Sequence, residues 1–290
     1  MRRALLLALA LLAACATGPD RLPPRPDGAL RVASYNVHYI VLSEQTGPWS
    51  VGDWERRRGP LASAVRATGA DVIAFQEMES FRRGSDGGIN LARDWLLEQL
   101  PGLSAAATGD WQSFPSTQPI FYRPDVLRRT DQGWFFFSDT PEVIYSRSFD
   151  GSCPAFASWA AFEDLRTGHP VTVVNVHLDA FSRVNRRMST DLIARRLAPW
   201  IADGRTVILA GDLNAVTFMY PLQGLKKAGL TFAGVNGSTY HFNRGLNLFG
   251  AIDHVAYANA QQVSDPMVLR ARFDGEWPTD HYPVVVDFSY

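Results

Sequence analysis

The sequence predicts one α/β domain in which helices pack on the outer faces of mixed β-sheets. Helical patterns follow apolar, strand-like runs near both ends of the chain, and a series of strand-like runs fills the middle. No linker-like segment interrupts the chain after residue 30. The 290 residues are 46% hydrophobic, which is enough for one large core or two small ones.

In the first third of the chain, strands and helices alternate. The run LRVASYN (Leu30–Asn36) predicts a strand. Residues 53–68 predict a helix that begins either at a capping Asp53 or near Gly59-Pro60 and is closed by Gly69. DVIAFQE (71–77) predicts a buried strand with a polar end. Residues 90–100 predict a second helix, which stops before a Pro-Gly pair.

Strands dominate the middle, where four runs are separated by turn residues: QPIFYRP, QGWFFFS, AFASWAAFED and PVTVVNVHLD. We interpret the aromatic residues 134–137 as core. A long helix is predicted over residues 182–202 and a short one over 221–228. RTVILAGDLNA, AIDHVAYA and YPVVVDFSY predict the remaining strands.

The N-terminus resembles the signal peptide of a bacterial lipoprotein. Two arginines precede an apolar run that is too short to span a bilayer easily and that ends in LAAC, with Cys15 at the place of the lipidated cysteine. An ordinary cleaved signal peptide is the alternative. We therefore expect a signal over residues 1–14, a Pro-rich tether over 15–29 and the domain over 30–290. The resemblance, with Ala16 after the cysteine, implies a lipid anchor in the cell envelope, on the periplasmic side of a Gram-negative outer membrane.

Charge and cysteine content restrict the possible partners. The formal net charge is -1, so the chain has no basic excess for tight, non-specific binding of nucleic acid. With Cys15 acylated, Cys153 has no partner for a disulfide, and we expect its thiol to be buried. We expect a monomer.

Polar residues gather at six strand ends. Each adjoins an apolar run and carries a carboxylate, a carboxamide or an imidazole: Asn36, Gln76-Glu77, Asn175 with His177, Asp212 with Asn214, Asp253-His254, and Asp280-His281. Because a sheet aligns its strands, such ends can converge on one cleft. Oxygen ligands of this kind suit Mg²⁺ or Mn²⁺, and there is no Cys/His cluster typical of zinc.

The pattern also suggests acid–base chemistry. Asp212 and Asn214 alternate and therefore point to one face, where a carboxylate can orient water and a carboxamide can donate to phosphate. A carboxylate such as Asp253 beside His281 would hold the imidazole in one tautomer and raise its basicity. A metal and an imidazolium around a phosphate make a phosphoryl-transfer site.

The ordered segments SYNVHY, FQEM, VNVHLD, AGDLNA, AIDHVAY and PTDHYPV resemble the motifs of the endonuclease/exonuclease/phosphatase superfamily, the fold of pancreatic-type deoxyribonuclease. The resemblance extends from Leu30 to Phe288. It implies a four-layer α/β/β/α sandwich of two mixed sheets flanked by helices. It also implies a metal-dependent phosphodiesterase or phosphatase that attacks a phosphate ester with water.

The resemblance implies a role for each motif residue. Metal would bind at Glu77 with Asn36 nearby, and Asp280 would lie beside the metal or support His281. The catalytic residues would be Asp212 for the water, Asn214 and His177 at the phosphate, and His281 oriented by Asp253. We expect His241, in a T-x-H-F segment, and Asn175 to contact the substrate.

Two departures from the family pattern bear on the substrate. Arginines that family members carry are replaced here by residues near Ala155 and by Ala251, so the grip on the substrate phosphate differs. Nucleic acid, a phospholipid and a small phosphodiester all remain possible substrates. The alternative function is a non-catalytic binding lipoprotein that retains the fold. A calcineurin-like metallophosphoesterase would need a later GNH motif, which the sequence lacks.

Overall fold

Two β-sheets face each other through apolar sides, and helices cover their outer surfaces. The computed structural model of the chain describes residues 22–82 and 88–290. It confirms the predicted four-layer α/β/β/α sandwich of two mixed sheets. The expected signal peptide lies outside the described residues.

The described residues form four helices and fifteen strands. The helices are α1 (Val51–Thr68), α2 (Leu91–Gln99), α3 (Arg183–Ala202) and α4 (Tyr220–Lys227). The strands are β1 (Leu30–Asn36), β2 (Ile40–Val41), β3 (Val72–Gln76), β4 (Ser80–Phe81), β5 (Ser104–Ala106), β6 (Ile120–Tyr122), β7 (Leu127–Phe136), β8 (Phe156–Asp164), β9 (Pro170–His177), β10 (Thr206–Asp212), β11 (Thr231–Phe232), β12 (Asp253–Ala258), β13 (Gln261–Gln262), β14 (Met267–Val268) and β15 (Val284–Ser289). Among the described residues, no helix is both long and apolar enough to cross a membrane.

The long elements lie where the sequence predicts them, but two starts differ: β7 begins at Leu127, well before the predicted run QGWFFFS, and α1 also begins early. The helix begins two residues earlier than predicted, because Ser50 rather than Asp53 is its N-cap: the Ser50 hydroxyl accepts a hydrogen bond from the Asp53 backbone N–H at 3.1 Å. Asp53 lies instead in the first turn, where it pairs with Arg57. The two-residue strands went unpredicted because they are too short for an alternating pattern to show.

The first sheet has the order β13-β15-β1-β3-β6-β5, with β14 on β15. Its central strands β1 and β3 are parallel, so their carboxyl ends lie side by side, with Asn36 opposite Gln76. The second sheet has the order β11-β12-β10-β9-β8-β7. There β9 runs parallel to β10 and β12 runs antiparallel to it, which places Asp212 beside both His177 and Asp253.

Three apolar layers hold the sandwich together. One lies between the two sheets, and the others lie between each sheet and its helices. Phe135, Phe136 and Phe137 are buried, which confirms their interpretation as core, whereas Trp134 is only half-buried. Neighbouring residues of a strand point to opposite faces of the sheet, so these aromatic side chains are buried on both faces. Their burial is favourable because each removes a large apolar area from water.

Candidate active site

The carboxyl ends of the parallel strands bring the two sheets into polar contact at one edge of the sandwich. Asn36, the last residue of β1, donates from its side-chain amide to the Glu77 carboxylate at 3.0 Å. The same amide donates to Asp212, the last residue of β10 in the other sheet, at 3.2 Å. The polar strand ends predicted from the sequence therefore converge on one cleft.

Three residues that follow these strand ends have left-handed backbone conformations. Their φ angles are 65° at His38, 54° at Glu77 and 45° at Asn214. Non-glycine residues adopt such angles at a cost in conformational energy. These conformations persist where surrounding contacts hold the backbone in place, often in functional sites. All three side chains line the cleft.

The centre of the site is a buried carboxylate–imidazole–carboxylate cluster. His281 Nδ1 lies 2.8 Å from Asp253 Oδ2, and its Nε2 lies 3.8 Å from Asp212 Oδ2. Burial lowers the pKa of His281, but the charge and hydrogen bond of Asp253 raise it well above the usual value. Asp253 therefore fixes the orientation of the His281 ring and favours its protonated form.

Asp212 is placed to handle a proton. Its Oδ1 accepts a hydrogen bond from the Asn214 backbone N–H at 2.8 Å, and its Oδ2 lies 3.8 Å from His177 Nε2. Burial and the nearby charge of Asp253 raise the pKa of Asp212 to about 6. A carboxylate with such a pKa is suited to take a proton from water near neutral pH.

His177 and Asn214 flank Asp212. His177 is partly exposed, and its Nε2 also lies 3.8 Å from Glu77 Oε1. The Asn214 side-chain amide donates to the Leu178 carbonyl at 2.8 Å, which fixes its orientation at the cleft wall. Both residues can therefore meet a bound phosphate from the side of the second sheet.

Asp280 forms the opposite wall. Its Oδ2 lies 3.7 Å from His38 Nε2, and its Oδ1 lies 3.3 Å from the Thr279 hydroxyl. Burial raises the pKa of Asp280, but the charges of His281 and His38 lower it further than burial raises it. Asp280 is thus an anion that faces the cleft close to His281.

The cleft has a volume of about 590 Å³ and an unbalanced charge. Its lining includes five carboxylates, three imidazoles and no lysine or arginine; the carboxylates are Glu77, Glu79, Asp179, Asp212 and Asp280. Glu79 shows the consequence, because burial and the charge of Glu77 raise its pKa to about 7. A divalent cation would neutralise this excess.

The donor set fits a hard cation. The carboxylate oxygens of Glu77 and Asp280 are ligands that Mg²⁺ and Mn²⁺ prefer. Asn36 lies nearby, but its side-chain oxygen accepts a hydrogen bond from the His38 backbone N–H at 3.2 Å, and its amide donates to Glu77. A second geometric grouping, Asp212 with Asp253 and His281, also brings three ligand atoms within 4.8 Å of one another. We favour Glu77 and Asp280 as the metal ligands, because His281 Nδ1 and Asp253 Oδ2 already bond to each other.

Two predicted substrate contacts lie behind the cleft walls. Asn175 is fully buried, and its side chain bonds to Gln76 at 2.8 Å and to the Phe75 carbonyl at 2.7 Å, which ties the two sheets together. His241 is also fully buried and stacks on Tyr282 with ring centroids 4.0 Å apart. Neither side chain lines the cleft, so both residues support the cleft wall from behind and do not offer a surface to a substrate.

Cys153 is exposed, so the expectation that its thiol is buried is wrong. It belongs to a loop that Asp179 organises by accepting hydrogen bonds from the Ser152 backbone and hydroxyl, at 2.7 and 2.6 Å. This holds Ser152 and Cys153 at the cleft wall. A lone cysteine in an apolar-poor loop carries no sequence signal for such a position.

Sequence reasoning missed several other cleft residues. Glu79, Trp49 and Tyr240 line the cleft but lie in loops between elements, where no periodic pattern marks them. Near the positions where family members carry arginine, the wall is apolar and is formed by Ala155 and Ile252. The guanidinium of Arg147 instead donates to the Ser152 carbonyl at 3.2 Å.

A two-sheet sandwich with an oxygen-rich cleft at one edge is the architecture of the deoxyribonuclease-I-like fold. A profile of the endonuclease/exonuclease/phosphatase family matches residues 33–281, and the chain belongs to that family. This membership supports a phosphoester-type hydrolase as the class of enzyme.

Three solved structures illustrate the likeness. A Bacteroides thetaiotaomicron mannosyl-6-phosphatase has a TM-score of 0.75 and 24% identity, over 90% of this chain and 100% of its own. The human Nocturnin catalytic domain with bound sulfate has a TM-score of 0.61 and 16% identity, over 90% and 93%. The TDP2 of D. rerio with a single-strand DNA product has a TM-score of 0.64 and 14% identity, over 91% and 100%. At these identities the likeness shows the fold. A search of curated proteins finds no match.

Proposed function

We propose that the protein is a Mg²⁺- or Mn²⁺-dependent hydrolase of a small phosphate ester, which it cleaves by direct attack of water. The observation that carries this proposal is the charge of the cleft. Five carboxylates face it without a lysine or arginine among them, so a phosphate dianion could enter only with a cation. The alternative, a non-catalytic binding lipoprotein, would not need the buried Asp212–His281–Asp253 cluster.

The residues divide the chemistry between them. Glu77 and Asp280 would hold the metal, with Asn36 nearby as a hydrogen-bond donor to Glu77, and the metal would supply Lewis-acid polarisation of the ester oxygens. Asp212 orients the attacking water and accepts its proton. His281, as an imidazolium whose Nδ1–H is held by Asp253, donates a hydrogen bond from Nε2 to the phosphate as charge develops in the transition state. Asn214 and His177 bind the phosphate from the other sheet.

The wall chemistry favours a small ester over a long nucleic acid. Extended binding of a nucleic acid backbone depends on lysine and arginine, which the cleft lining lacks. Among proteins of the same fold, one is a mannosyl-6-phosphatase and another has a single-strand DNA product bound, so the fold alone does not determine the substrate. We propose a neutral alcohol portion for the substrate.

The proposal includes a site of action at the cell envelope. It rests on the LAAC segment, whose Cys15 would carry the lipid that anchors the chain on the periplasmic side of the outer membrane. Residues 15–29 would then connect the lipid to the domain as a short Pro-rich tether. The monomeric state expected from the sequence is part of the same proposal.

A panel assay tests the proposed function. Purified protein is supplied with Mg²⁺ or Mn²⁺ and offered p-nitrophenyl phosphate, its bis ester, DNA, RNA, sphingomyelin and phosphatidylinositol phosphates. We expect turnover of small esters that stops after EDTA treatment and returns with Mg²⁺. Full activity after exhaustive removal of metal contradicts the metal dependence. Binding without turnover of any ester supports the non-catalytic alternative.

A further inference from the structure

A second cavity of about 1040 Å³ opens beside the catalytic cleft. The two share four wall residues, His38, Trp49, Tyr240 and Asp280. The rest of the second wall comes from residues 45–56, residues 242–248 and the pair Glu276-Trp277. A phosphate ester bound at the catalytic residues could therefore extend its alcohol portion into this space without leaving the protein surface.

The wall of this second cavity combines flat apolar faces with neutral hydrogen-bonding groups. Four aromatic side chains line it, namely Trp49, Tyr240, Phe242 and Trp277. Amides and a hydroxyl lie among them, supplied by Gln45, Asn243 and Thr46. Sites for small organic ligands typically have an apolar or aromatic wall with a few convergent polar groups. The volume of such a site is usually about 300–1,000 Å³.

The charges in the second cavity largely cancel one another. Arg56 contacts Asp53 at 2.6 Å and Glu276 at 2.5 Å. Arg244 is exposed at the wall and has no ion-pair partner among the described residues. One available guanidinium beside Asp53, Glu276 and Asp280 does not attract a polyanion, because the carboxylates would repel a further phosphate.

The walls are tied to the catalytic residues by backbone hydrogen bonds. The His241 N–H donates to the Asp280 carbonyl at 2.8 Å, and the Tyr282 N–H donates to the Thr239 carbonyl at 2.7 Å. Phe242 and Asn243 then turn toward the cavity with φ angles of 59° and 54°. This frame presents the side chains of residues 242–244 at a defined place relative to His281.

We propose that the second cavity is the subsite for the alcohol portion of the substrate, and that this portion is a carbohydrate. The proposal rests on the proposed function, since it assigns a substrate class to the same site. The aromatic faces would pack on the C–H faces of sugar rings, whereas Gln45, Asn243 and Arg244 would bind hydroxyl groups. Asp53 and Glu276 pair with Arg56, but carboxylate oxygens can accept further hydrogen bonds from a neutral polyol, and their charge disfavours the next phosphate of a nucleic acid. The volume accommodates more than one sugar ring.

The test compares a sugar ester with an aryl ester that cannot fill the cavity. The kcat and KM are measured with Mg²⁺ for trehalose 6-phosphate, p-nitrophenyl phosphate and the dinucleotide thymidylyl-thymidine. Thr46→Trp introduces a bulky side chain at the cavity wall and narrows the cavity, and Arg244→Gln removes its available cation. We expect each to reduce kcat/KM for the sugar ester at least about tenfold more than for the aryl ester, mainly through KM.

Matched controls carry the same substitutions at exposed positions beyond the opposite ends of the strands. Thr167→Trp and Arg205→Gln should leave both substrates within about twofold of the wild type. Equal losses on both esters, no loss on either, or a wild-type preference for the dinucleotide over the sugar ester would overturn the carbohydrate subsite. A wild-type protein that turns over aryl esters but not trehalose 6-phosphate overturns it as well. Absence of turnover for every ester in the panel contradicts the proposed function itself.

Discussion

At the scale of single residues, the proposed function assigns Asp212, Asn214 and His281 to one phosphate. Asp212 touches Asn36, Asn214 and the two histidines, and His281 is fixed by Asp253. Groups that act on one transition state are strongly non-additive, so each is nearly indispensable. A residue that only orients another should matter less.

We therefore predict that Asp212→Ala and His281→Ala each reduce kcat by about 10² to 10⁴. Asp253→Ala should cost less, because it removes the orienting partner and leaves the imidazole in place. The measurement is kcat on any phosphate ester that the wild type turns over, with circular dichroism to establish folding. A folded His281→Ala variant with near-normal kcat would show that the catalytic assignment is wrong.

At the scale of elements, the pairing of β9 with β10 positions His177 and Asp212. These strands lie unusually close to each other at Gly211, where a Cβ atom would lie 1.9 Å from the Val176 carbonyl oxygen. That contact is with backbone, so the strands must separate to accommodate any side chain. The glycine before Asp212 is therefore required by packing as well as by the site.

We predict that Gly211→Ala lowers the free energy of unfolding by about 1–3 kcal/mol or more, as overpacking does, and also reduces kcat. Urea denaturation and steady-state kinetics measure the two effects. Gly234→Ala is the matched control, because its Cβ would meet nothing within 4 Å and its φ is not positive. If Gly211→Ala resembles Gly234→Ala in both respects, the strand pairing does not depend on the glycine.

At the scale of the whole molecule, a second polar network lies at the pole opposite the cleft. Asp164 ends β8 there and binds Arg166 at 2.5 Å and the hydroxyl of Tyr290 at 2.5 Å. Arg166 also donates to the Ala29 carbonyl at 2.9 Å, so the network links both ends of the domain. Burial raises the pKa of Asp164, but the hydrogen bonds from Arg166 and Tyr290 lower it to about 2.

The lowered pKa of Asp164 predicts how the stability of the fold depends on pH. A carboxylate with a depressed pKa stabilises the fold above its unfolded pKa of 3.8 and loses that contribution as pH falls through about 2. Asp164→Asn should therefore be less stable than the wild type by a constant amount from pH 7 to pH 5. Below about pH 3.8 the difference should narrow. Urea midpoints across this range measure it, and a difference that widens as pH falls would contradict the assignment.

The proposed anchor also belongs to this scale. Leu22 packs on the helix layer, and Arg25 pairs with Asp71 at the amino end of β3, opposite the cleft. A chain tethered through Cys15 would therefore enter the domain at the pole away from the catalytic residues. We expect the cleft to face away from the anchoring bilayer.

We predict that Cys15→Ser moves the protein from the membrane fraction to the soluble fraction. The physical reason is that removal of the acylated thiol removes the buried acyl chains. Fractionation with detection of the protein, and mass spectrometry of the N-terminal peptide, measure the change. A wild-type protein that is already soluble and unacylated shows that the chain has an ordinary signal peptide instead.

The sequence by itself determined the strands, the helices and the set of polar residues at the strand ends. Alternation in Leu30–Asn36 and the apolar run before Asp212 are local patterns, and local patterns follow from the period of each element. The class of enzyme, a phosphoester hydrolase, was likewise predictable, because carboxylates, carboxamides and imidazoles recur at six strand ends in the order of the family motifs.

Only the tertiary structure decided which residues reach the cleft and which stand behind it. Asn36 and Asn175 carry the same side chain and are both fully buried, yet Asn36 donates to the cleft residues Glu77 and Asp212, whereas Asn175 bonds to Gln76 and Phe75 between the sheets. Glu79 and the second cavity depend on loops that approach from distant parts of the chain. Their positions follow from long-range packing of the two sheets, and no local pattern in the sequence encodes that packing.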